Sequence, residues 1–259
     1  MFIDDIKAVF LDVDGTLLDK NNTVPQSTQI AIEKLREKGI LTVVASGRQI
    51  DSYAALPVNH IRFDAYVMLN GAMLLDENRK IISGTPMKRE VLDLIFRLFG
   101  EHCIPYALST AAGRYINAVD ETVRRTHQEI RTAVPKVGKY NGEDVYMVEA
   151  YVPVKDRQFL DALRDYCTIT WWHDTGTDIV PKGVDKATGI ERFLKLHNLD
   201  KEQIIAFGDA ENDVSMLRYA GIGVAMGNAE PSVKEAADYV TDTSDNDGIE
   251  KALKHFGLI

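Results

Sequence analysis

A short apolar strand that runs directly into two carboxylates is the feature that most constrains this chain. Residues 7–18 read KAVFLDVDGTLL, in which apolar residues precede Asp12 and Asp14, and Gly15 and Thr16 close the run. A brief apolar run bounded by turn residues is typical of a buried strand in a parallel sheet. Asp before Gly also opens ordinary turns. Because side chains two positions apart on an extended chain point the same way, we expect both carboxylates to address one spot, just past the strand end.

Strands and helices alternate along the first third of the chain. The apolar runs 40–45 (ILTVVA) and 65–69 (AYVML) are predicted to be further buried strands, each followed by small or polar residues. Pro25 suits the first turn of a helix that ends near Gly39. This alternation predicts an α/β fold built on a parallel sheet with right-handed crossovers.

The pattern changes near residue 82. Helices are predicted at 88–99 and 155–166, and short strand-like runs at 106–109, 115–118, 145–152, 169–172 and 178–180. Such a mixture predicts an α+β layer with one open sheet face. The alternation then resumes, with a helix at 186–197. We therefore expect a core domain in two segments, 1–82 and 183–259, around an inserted cap domain, 83–182.

A second acidic strand end lies in the last third of the chain. The predicted strand 203–207 (QIIAF) ends in GDAEND, residues 208–213. Asp209 follows this strand as Asp12 follows the first, and Asp213 lies four residues further on. As an alternative, Asp209 could cap the next helix and Asp213 could complement its dipole. Those roles do not exclude metal binding.

Composition narrows the possible partners. The formal charge is −9 and the sequence pI is near 5.2, with no basic block, which argues against nucleic acid or an anionic membrane surface as the main partner. No apolar stretch approaches the ~20 residues of a membrane span. The N-terminus does not resemble a signal peptide, and Cys103 and Cys167 have no metal-type spacing. We expect a cytoplasmic protein with reduced thiols that is a monomer or a weak homodimer.

Four motifs occur in order along the chain: DVDGT at 12–16, ASGR at 45–48, DKATG at 185–189 and GDAEND at 208–213. With them the sequence resembles the haloacid dehalogenase (HAD) superfamily, in particular Cof-like phosphatases with a type IIB α/β cap inserted between the second and third motifs. The resemblance implies a Rossmann-like parallel-sheet core of the HAD type and a cap that closes over the leaving group. Many relatives have Lys-Gly where this chain has Lys186-Ala187.

The resemblance implies a Mg²⁺ site. Asp12 and Asp209 would supply carboxylates, Asp14 its backbone carbonyl, and Asp213 a direct or water-mediated contact. Oxygen ligands of this kind suit Mg²⁺, and converging carboxylates repel one another without a cation. The metal would also screen an anionic phosphate from an anionic nucleophile.

The resemblance also assigns chemical roles. Asp12 would attack phosphorus and form an aspartyl-phosphate, while Asp14 would act as general acid and base, which requires a raised pKa. Ser46 and Lys186 would bind the transferring phosphoryl group. Ser46 could instead be an ordinary loop hydroxyl, and Lys186 a solvated lysine. However, a lysine in the first helical turn opposes the helix dipole, which indicates placement for an anion.

Further candidates are less specific. Gly47, Arg48 and Asn212 are predicted to bind substrate or phosphate, although Arg48 is equally explained as a solvated or salt-bridged residue. Asn70 and Gly71, at the end of the third predicted strand, are site candidates that are equally unspecific. In the cap, His173 and Asp174 are better explained by an exposed loop, and Trp171 and Trp172 by packing.

These inferences combine into one functional hypothesis. We expect a Mg²⁺-dependent phosphomonoester hydrolase acting on a small phosphorylated metabolite, a sugar phosphate in the first instance. Two alternatives stay open: a phosphosugar mutase, and a non-catalytic sugar-phosphate-binding regulator on the same fold. The presence of an acid two residues after Asp12 speaks against the regulator, because binding alone does not need it.

Overall fold

The computed structural model describes residues 5–130 and 132–259 of the chain. It divides into two compact units, Met1–Ser83 with Asp185–Ile259, and Gly84–Val184. We call the first unit the core and the second the cap. The inserted domain expected from the sequence, 83–182, begins one residue before the first residue of the cap and ends two residues before its last residue.

The first core segment alternates strands and helices up to the third strand and then adds two strands. Its elements are β1 (Ala8–Leu11), α1 (Gln26–Glu37), β2 (Leu41–Ala45), α2 (Ile50–Ala54), β3 (Ala65–Met68), β4 (Met73–Asp76) and β5 (Ile81–Gly84). All four residues of β1 are buried. Pro25 lies at the N-cap of α1 rather than in its first turn. The strands β4 and β5 were not predicted.

The cap contains the next eight elements: α3 (Arg89–Glu101), β6 (Tyr106–Thr110), β7 (Gly113–Ile116), α4 (Glu121–Glu129), β8 (Lys136–Val137), β9 (Val145–Tyr151), β10 (Cys167–His173) and β11 (Gly176–Pro181). A 3₁₀ helix, Val154–Leu163, stands where an α-helix was predicted. The unpredicted α4 is capped at its N-terminus by Asp120, whose side chain accepts the Val123 N–H. Val123 packs with Ala107, Ile116 and Tyr151, so this sheet face is partly covered rather than open.

The second core segment completes the alternation with α5 (Lys186–His197), β12 (Ile204–Gly208), α6 (Val214–Tyr219), β13 (Ile222–Ala225), α7 (Pro231–Lys234), β14 (Tyr239–Val240) and α8 (Gly248–His255). The start of α5 is fixed by a capping box between Asp185 and Thr188. The elements α7 and β14 were not predicted.

The core sheet has the strand order β14-β13-β12-β1-β2-β3-β4-β5. Strand β1 is central and pairs in parallel with β12 and β2, with Leu11 opposite both Phe207 and Val44. The segments that follow these three strands therefore emerge at one edge of the sheet. The sheet is mixed rather than wholly parallel, because β4 runs antiparallel to β3.

The cap sheet has the order β10-β11-β9-β6-β7-β8, and most of its pairs are antiparallel. Helix α3 packs on it through Leu92, Ile95 and Phe99. Cys103 and Cys167 are both free thiols. Within the described residues, no helix has the length and apolar character needed to cross a bilayer.

Candidate active site

A buried lysine joins two of the predicted carboxylates. The Nζ atom of Lys186 lies 2.5 Å from Oδ1 of Asp12 and 2.6 Å from Oδ1 of Asp213. Lys186 is fully buried although it opens helix α5, and Asp12 is only 5% exposed. The side chain is therefore not a solvated helix-start lysine. Burying a charged ammonium group is costly unless it is paired, and here both partners are anionic.

Asp213 shapes the loop that carries Asp209. Its Oδ2 atom accepts the backbone N–H groups of Asp209 (2.9 Å) and Ala210 (3.0 Å), while its Oδ1 atom accepts from Lys186. The residue lies in a 3₁₀ turn, Glu211–Asp213, just before α6 rather than inside that helix. Asp213, not Asp209, thus satisfies the free backbone donors at this turn.

The Asp209 carboxylate is held from the first motif. Thr16 donates its hydroxyl to Oδ1 of Asp209 at 2.9 Å. Gly15 has a φ of 80°, in the left-handed region, and a Cβ at this position would overlap the Asp209 carboxylate. A glycine is therefore required here both by backbone conformation and by the close approach of Asp209.

Oxygen atoms of Asp12, Asp209 and Asp213 all lie within 4.8 Å of one another. Three carboxylates face a single lysine, so the cluster carries excess negative charge. A hard divalent cation prefers oxygen donors and would balance this charge. The residues present therefore fit a metal ion of this class.

The pKa values of these groups reflect the same imbalance. Burial, followed by the Asp213 carboxylate, raises the pKa of Asp12 well above its ordinary value and that of Asp209 to about 7. Burial alone would lower the pKa of Lys186, but Asp12 and Asp213 outweigh it and raise that pKa above its ordinary value. The lysine therefore stays charged while the carboxylates compete for a proton or a cation.

Metal binding is expected to stabilise the protein more at higher pH. The pKa of Asp209 is about 7 in the folded protein and 3.8 for an ordinary aspartate, the value expected in the unfolded chain. The metal-free folded protein therefore keeps a proton that the unfolded chain has lost, and it loses stability as pH rises from 3.8 to about 7. A bound cation takes the place of that proton. At a Mg²⁺ concentration of 100 times the dissociation constant, the gain is about 2.7 kcal/mol. Thermal midpoints with Mg²⁺ or EDTA at pH 5.5, 6.5 and 7.5 measure this. A Mg²⁺-induced shift that is equal at all three pH values contradicts the prediction.

Asp14 has a different environment from Asp12. Its carboxylate accepts two hydrogen bonds from Arg48, at 2.6 Å from Nε and 2.7 Å from Nη2. The Asp14 side chain is 49% exposed, whereas Asp12 is buried against Lys186. The chain leaves the extended conformation directly after β1, and the two carboxylates have different immediate partners. That both carboxylates act at one spot stays a prediction. Arg48 forms a salt bridge with Asp14, which agrees with the alternative explanation of Arg48 as a solvated or salt-bridged residue.

Ser46, Gly47 and Asn212 are brought together around Asn70. Asn212 donates from Nδ2 to Oδ1 of Asn70 at 2.9 Å, and the Asn70 N–H donates to the Ser46 carbonyl at 3.1 Å. A Cβ at Gly47 would press on the Asn70 amide. Ser46 is buried, and its Oγ accepts the Arg48 N–H at 3.2 Å. These residues follow β2, β3 and β12, so the polar group that they form lies at the same edge of the sheet as the carboxylate cluster.

The turn after β3 is strained. Leu69, Asn70 and Gly71 have φ values of 55°, 51° and 90°, so two non-glycine residues occupy the left-handed region in succession. Such residues cost of order 1–3 kcal/mol each and concentrate at functional sites. The turn reverses the chain into β4 and places Asn70 against Asn212.

Sequence reasoning missed Asn228, in the loop after β13. Its Nδ2 atom donates to the Gly15 carbonyl at 2.9 Å and to Oδ2 of Asp209 at 3.2 Å. The signal was available, because a polar residue just past a parallel strand end is the same pattern that identified Asp12 and Asp209.

In the cap, the segment 171–178 forms a hairpin between β10 and β11. The Trp172 Nε1–H donates to Oδ1 of Asp178 at 2.8 Å, and the guanidinium of Arg157 lies 3.5 Å from the Trp171 ring centroid. His173 lies 3.1 Å from a carboxylate oxygen of Glu129. Packing and local pairing account for these side chains.

The chain is similar to known proteins over nearly its whole length. A family model described as haloacid dehalogenase-like hydrolase matches residues 9–253. The putative phosphatase YkrA of Bacillus subtilis (strain 168) is 29% identical, with 98% of this chain and 99% of the relative aligned. The solved structure of BT1666 from Bacteroides thetaiotaomicron, a HAD phosphatase, superposes with a TM-score of 0.90 at 34% identity over 98% of this chain and 96% of that one.

A second solved structure, the HAD subclass IIB sugar phosphatase BT4131, has a TM-score of 0.87 at 30% identity and covers 98% of this chain and 100% of its own. Relatives and structural neighbours are thus named phosphatases, and BT4131 is described by the same subclass, IIB, that the resemblance implied for this chain. Because the family model spans nearly the whole sequence, the chain belongs to the haloacid dehalogenase-like hydrolase family.

Proposed function

We propose that the protein is a Mg²⁺-dependent phosphomonoester hydrolase that acts on a small phosphorylated metabolite through an aspartyl-phosphate intermediate. The observation that carries this proposal is the fully buried Lys186 between Asp12 and Asp213, beside Asp209. A buried cation among three carboxylates supports a site built for an anionic ligand and a metal rather than for fold stability alone.

The first half of the reaction forms the intermediate. A carboxylate oxygen of Asp12 attacks phosphorus while the bond from phosphorus to the ester oxygen breaks, and Asp14 transfers its proton to that oxygen. Asp14 must release the two Arg48 hydrogen bonds to do so. In the second half, water attacks phosphorus, Asp14 accepts its proton, and the bond to Asp12 breaks to release phosphate.

The remaining residues bind and orient the phosphoryl group. Lys186 neutralises Asp12 and the transferring oxygens, and Ser46, the Gly47 backbone and Asn212 donate hydrogen bonds to them. Arg48 would contact the substrate once it leaves Asp14. Asp12, Asp209, the Asp14 carbonyl and Asp213, the last directly or through water, would hold Mg²⁺, which would supply charge stabilisation for the anionic transition state.

The substrate is proposed to be a sugar phosphate. The support is the similarity over the whole chain to BT4131, which is described as a sugar phosphatase. The acidic composition makes nucleic acid an unfavourable partner. We expect the enzyme to work in the cytoplasm as a monomer or weak homodimer.

A phosphate-release screen tests the function. The protein is incubated with hexose, pentose and polyol phosphates, with Mg²⁺ or with EDTA, and both free phosphate and isomerised products are measured. Release of phosphate that EDTA abolishes is the expected result. Isomerised sugar phosphate without free phosphate would instead indicate a mutase, and tight binding without turnover a regulator.

Asp14→Asn is expected to lower kcat by about 10²–10⁴-fold, because the amide cannot transfer a proton in either half of the reaction. Mg²⁺ affinity is expected to stay unchanged, since Asp14 offers the metal only its backbone carbonyl. Steady-state kinetics and calorimetric Mg²⁺ titration measure the two effects.

The matched control is Asp19→Asn, five residues further along the same loop, where the carboxylate accepts hydrogen bonds from Asn21 and Thr23. It is expected to retain the parent kcat. Full activity of Asp14→Asn protein is incompatible with the proposed acid–base role.

A further inference from the structure

Asn228 links three separate loops of the core through one side chain. It lies between β13 and α7, and its Nδ2 atom donates to the Gly15 carbonyl in the loop after β1 and to Oδ2 of Asp209 after β12. Its Oδ1 atom accepts the Ser244 backbone N–H at 3.1 Å. No residue among the four sequence motifs makes this set of contacts.

The contacts fix the orientation of the amide. Both acceptors of Nδ2 are oxygens, and the partner of Oδ1 is an N–H donor, so a flipped amide would place its oxygen against two oxygens. The two amide hydrogens can serve the Gly15 carbonyl and the Asp209 carboxylate separately. The hydrogen bond from the Ser244 N–H to Oδ1 therefore orients the Asn228 Nδ2 group towards Gly15 in the first motif and Asp209 in the fourth.

Asp209 is consequently held at both oxygens. Thr16 donates to Oδ1 and Asn228 donates to Oδ2, which sets the rotation of the carboxylate about its Cβ–Cγ bond. Each carboxylate oxygen has two lone-pair positions, so one position on each oxygen is left for a cation. Asn228 also holds Gly15, the residue next to the Asp14 carbonyl, in its left-handed conformation.

We propose that Asn228 is a positioning residue for the metal site, which orients the Asp209 carboxylate and the 14–16 loop for a divalent cation. This inference rests on the proposed function, because it concerns the metal of that reaction. Hydrogen-bond partners of metal ligands restrict the ligand geometry before the ion binds, and their removal typically costs 10–100-fold in metal affinity.

The test compares Asn228→Ala with the parent protein by calorimetric Mg²⁺ titration and Mn²⁺ electron paramagnetic resonance, without substrate. The dissociation constants of both metals are expected to rise by about 10–100-fold. At saturating Mg²⁺, kcat is expected to recover most of the parent value, because Asn228 does not contact the reacting groups. A merely structural role would lower kcat and the thermal midpoint without this shift in metal affinity.

Two further variants sharpen the comparison. Asn246→Ala removes an exposed asparagine from the neighbouring 3₁₀ turn, and its metal affinity is expected to stay within about twofold of the parent. Asn228→Ser is a second variant in case the alanine protein does not fold, and it is expected to weaken metal binding in the same direction.

Each result has a defined meaning. Metal affinity of the Asn228 variants within about threefold of the parent overturns the positioning role, even if the parent hydrolyses phosphate esters. If the parent binds Mg²⁺ and Asn228→Ala weakens it, but no phosphate ester is hydrolysed, the positioning role stands and the proposed reaction fails. If the parent binds neither metal, both are wrong.

Discussion

Asp12→Asn protein is expected to release phosphate at least about 10⁴-fold more slowly than the parent, because an amide oxygen cannot form the covalent intermediate. The substitution also removes one of the two buried carboxylates that pair with Lys186, in a cluster where Asp209 adds a third negative charge. We therefore expect the metal-free variant to be at least as stable as the parent, as is often found when a strained functional site is neutralised. Phosphate release under saturating substrate and Mg²⁺, together with thermal unfolding in EDTA, measures the two effects.

Asp12→Glu is the matched variant for this experiment. It keeps the negative charge beside Lys186 but moves the nucleophilic oxygen by one methylene, so it is expected to be nearly inactive as well. Loss of activity in both variants assigns the effect to the position of the carboxylate rather than to its charge. Unchanged turnover in Asp12→Asn protein would remove Asp12 from the reaction.

Lys186→Met is expected to destabilise the metal-free protein by about 3–5 kcal/mol near pH 7.5, because it leaves the Asp12 and Asp213 carboxylates buried without their cation. The loss is expected to shrink at pH 5, since the pKa of Asp12 is already raised by burial and by Asp213, and protonation relieves the repulsion. Mg²⁺ is expected to restore part of the stability. Urea unfolding at both pH values, with EDTA or Mg²⁺, provides the measurement.

The control for this prediction lies on the same helix. Lys195 is 70% exposed and pairs with Glu191 one turn away, so Lys195→Met is expected to change the free energy of unfolding by less than about 0.5 kcal/mol. If Lys186→Met behaves like Lys195→Met at pH 7.5, the buried pairing of Lys186 does not stabilise the core.

Several local features of the core followed from the sequence because each depends on neighbours along the chain. The apolar run before Asp12 is a buried strand, and the helix predicted at 186–197 has those limits in the structure. The antiparallel strand β4 was missed, because the turn that creates it depends on left-handed Leu69 and Asn70, and a leucine rarely adopts that conformation. In the cap, α4 was missed because Val123 is its only apolar residue, and the other residues that it buries, Thr126 and His127, are polar.

The sequence by itself determined which residues stand at the strand ends and which family they indicate, since motif order and hydrophobic pattern are properties of the chain. Only the tertiary structure decided how those residues are paired. Lys186 meets Asp12 from 174 residues away, and Thr16 meets Asp209 from 193 residues away. The tertiary structure also gave the two acids of the first motif different partners, with Asp12 against buried Lys186 and Asp14 against Arg48 at the surface. These pairings depend on the register of β1 with β12 and β2 and on the burial that the sheet creates, which no local spacing encodes.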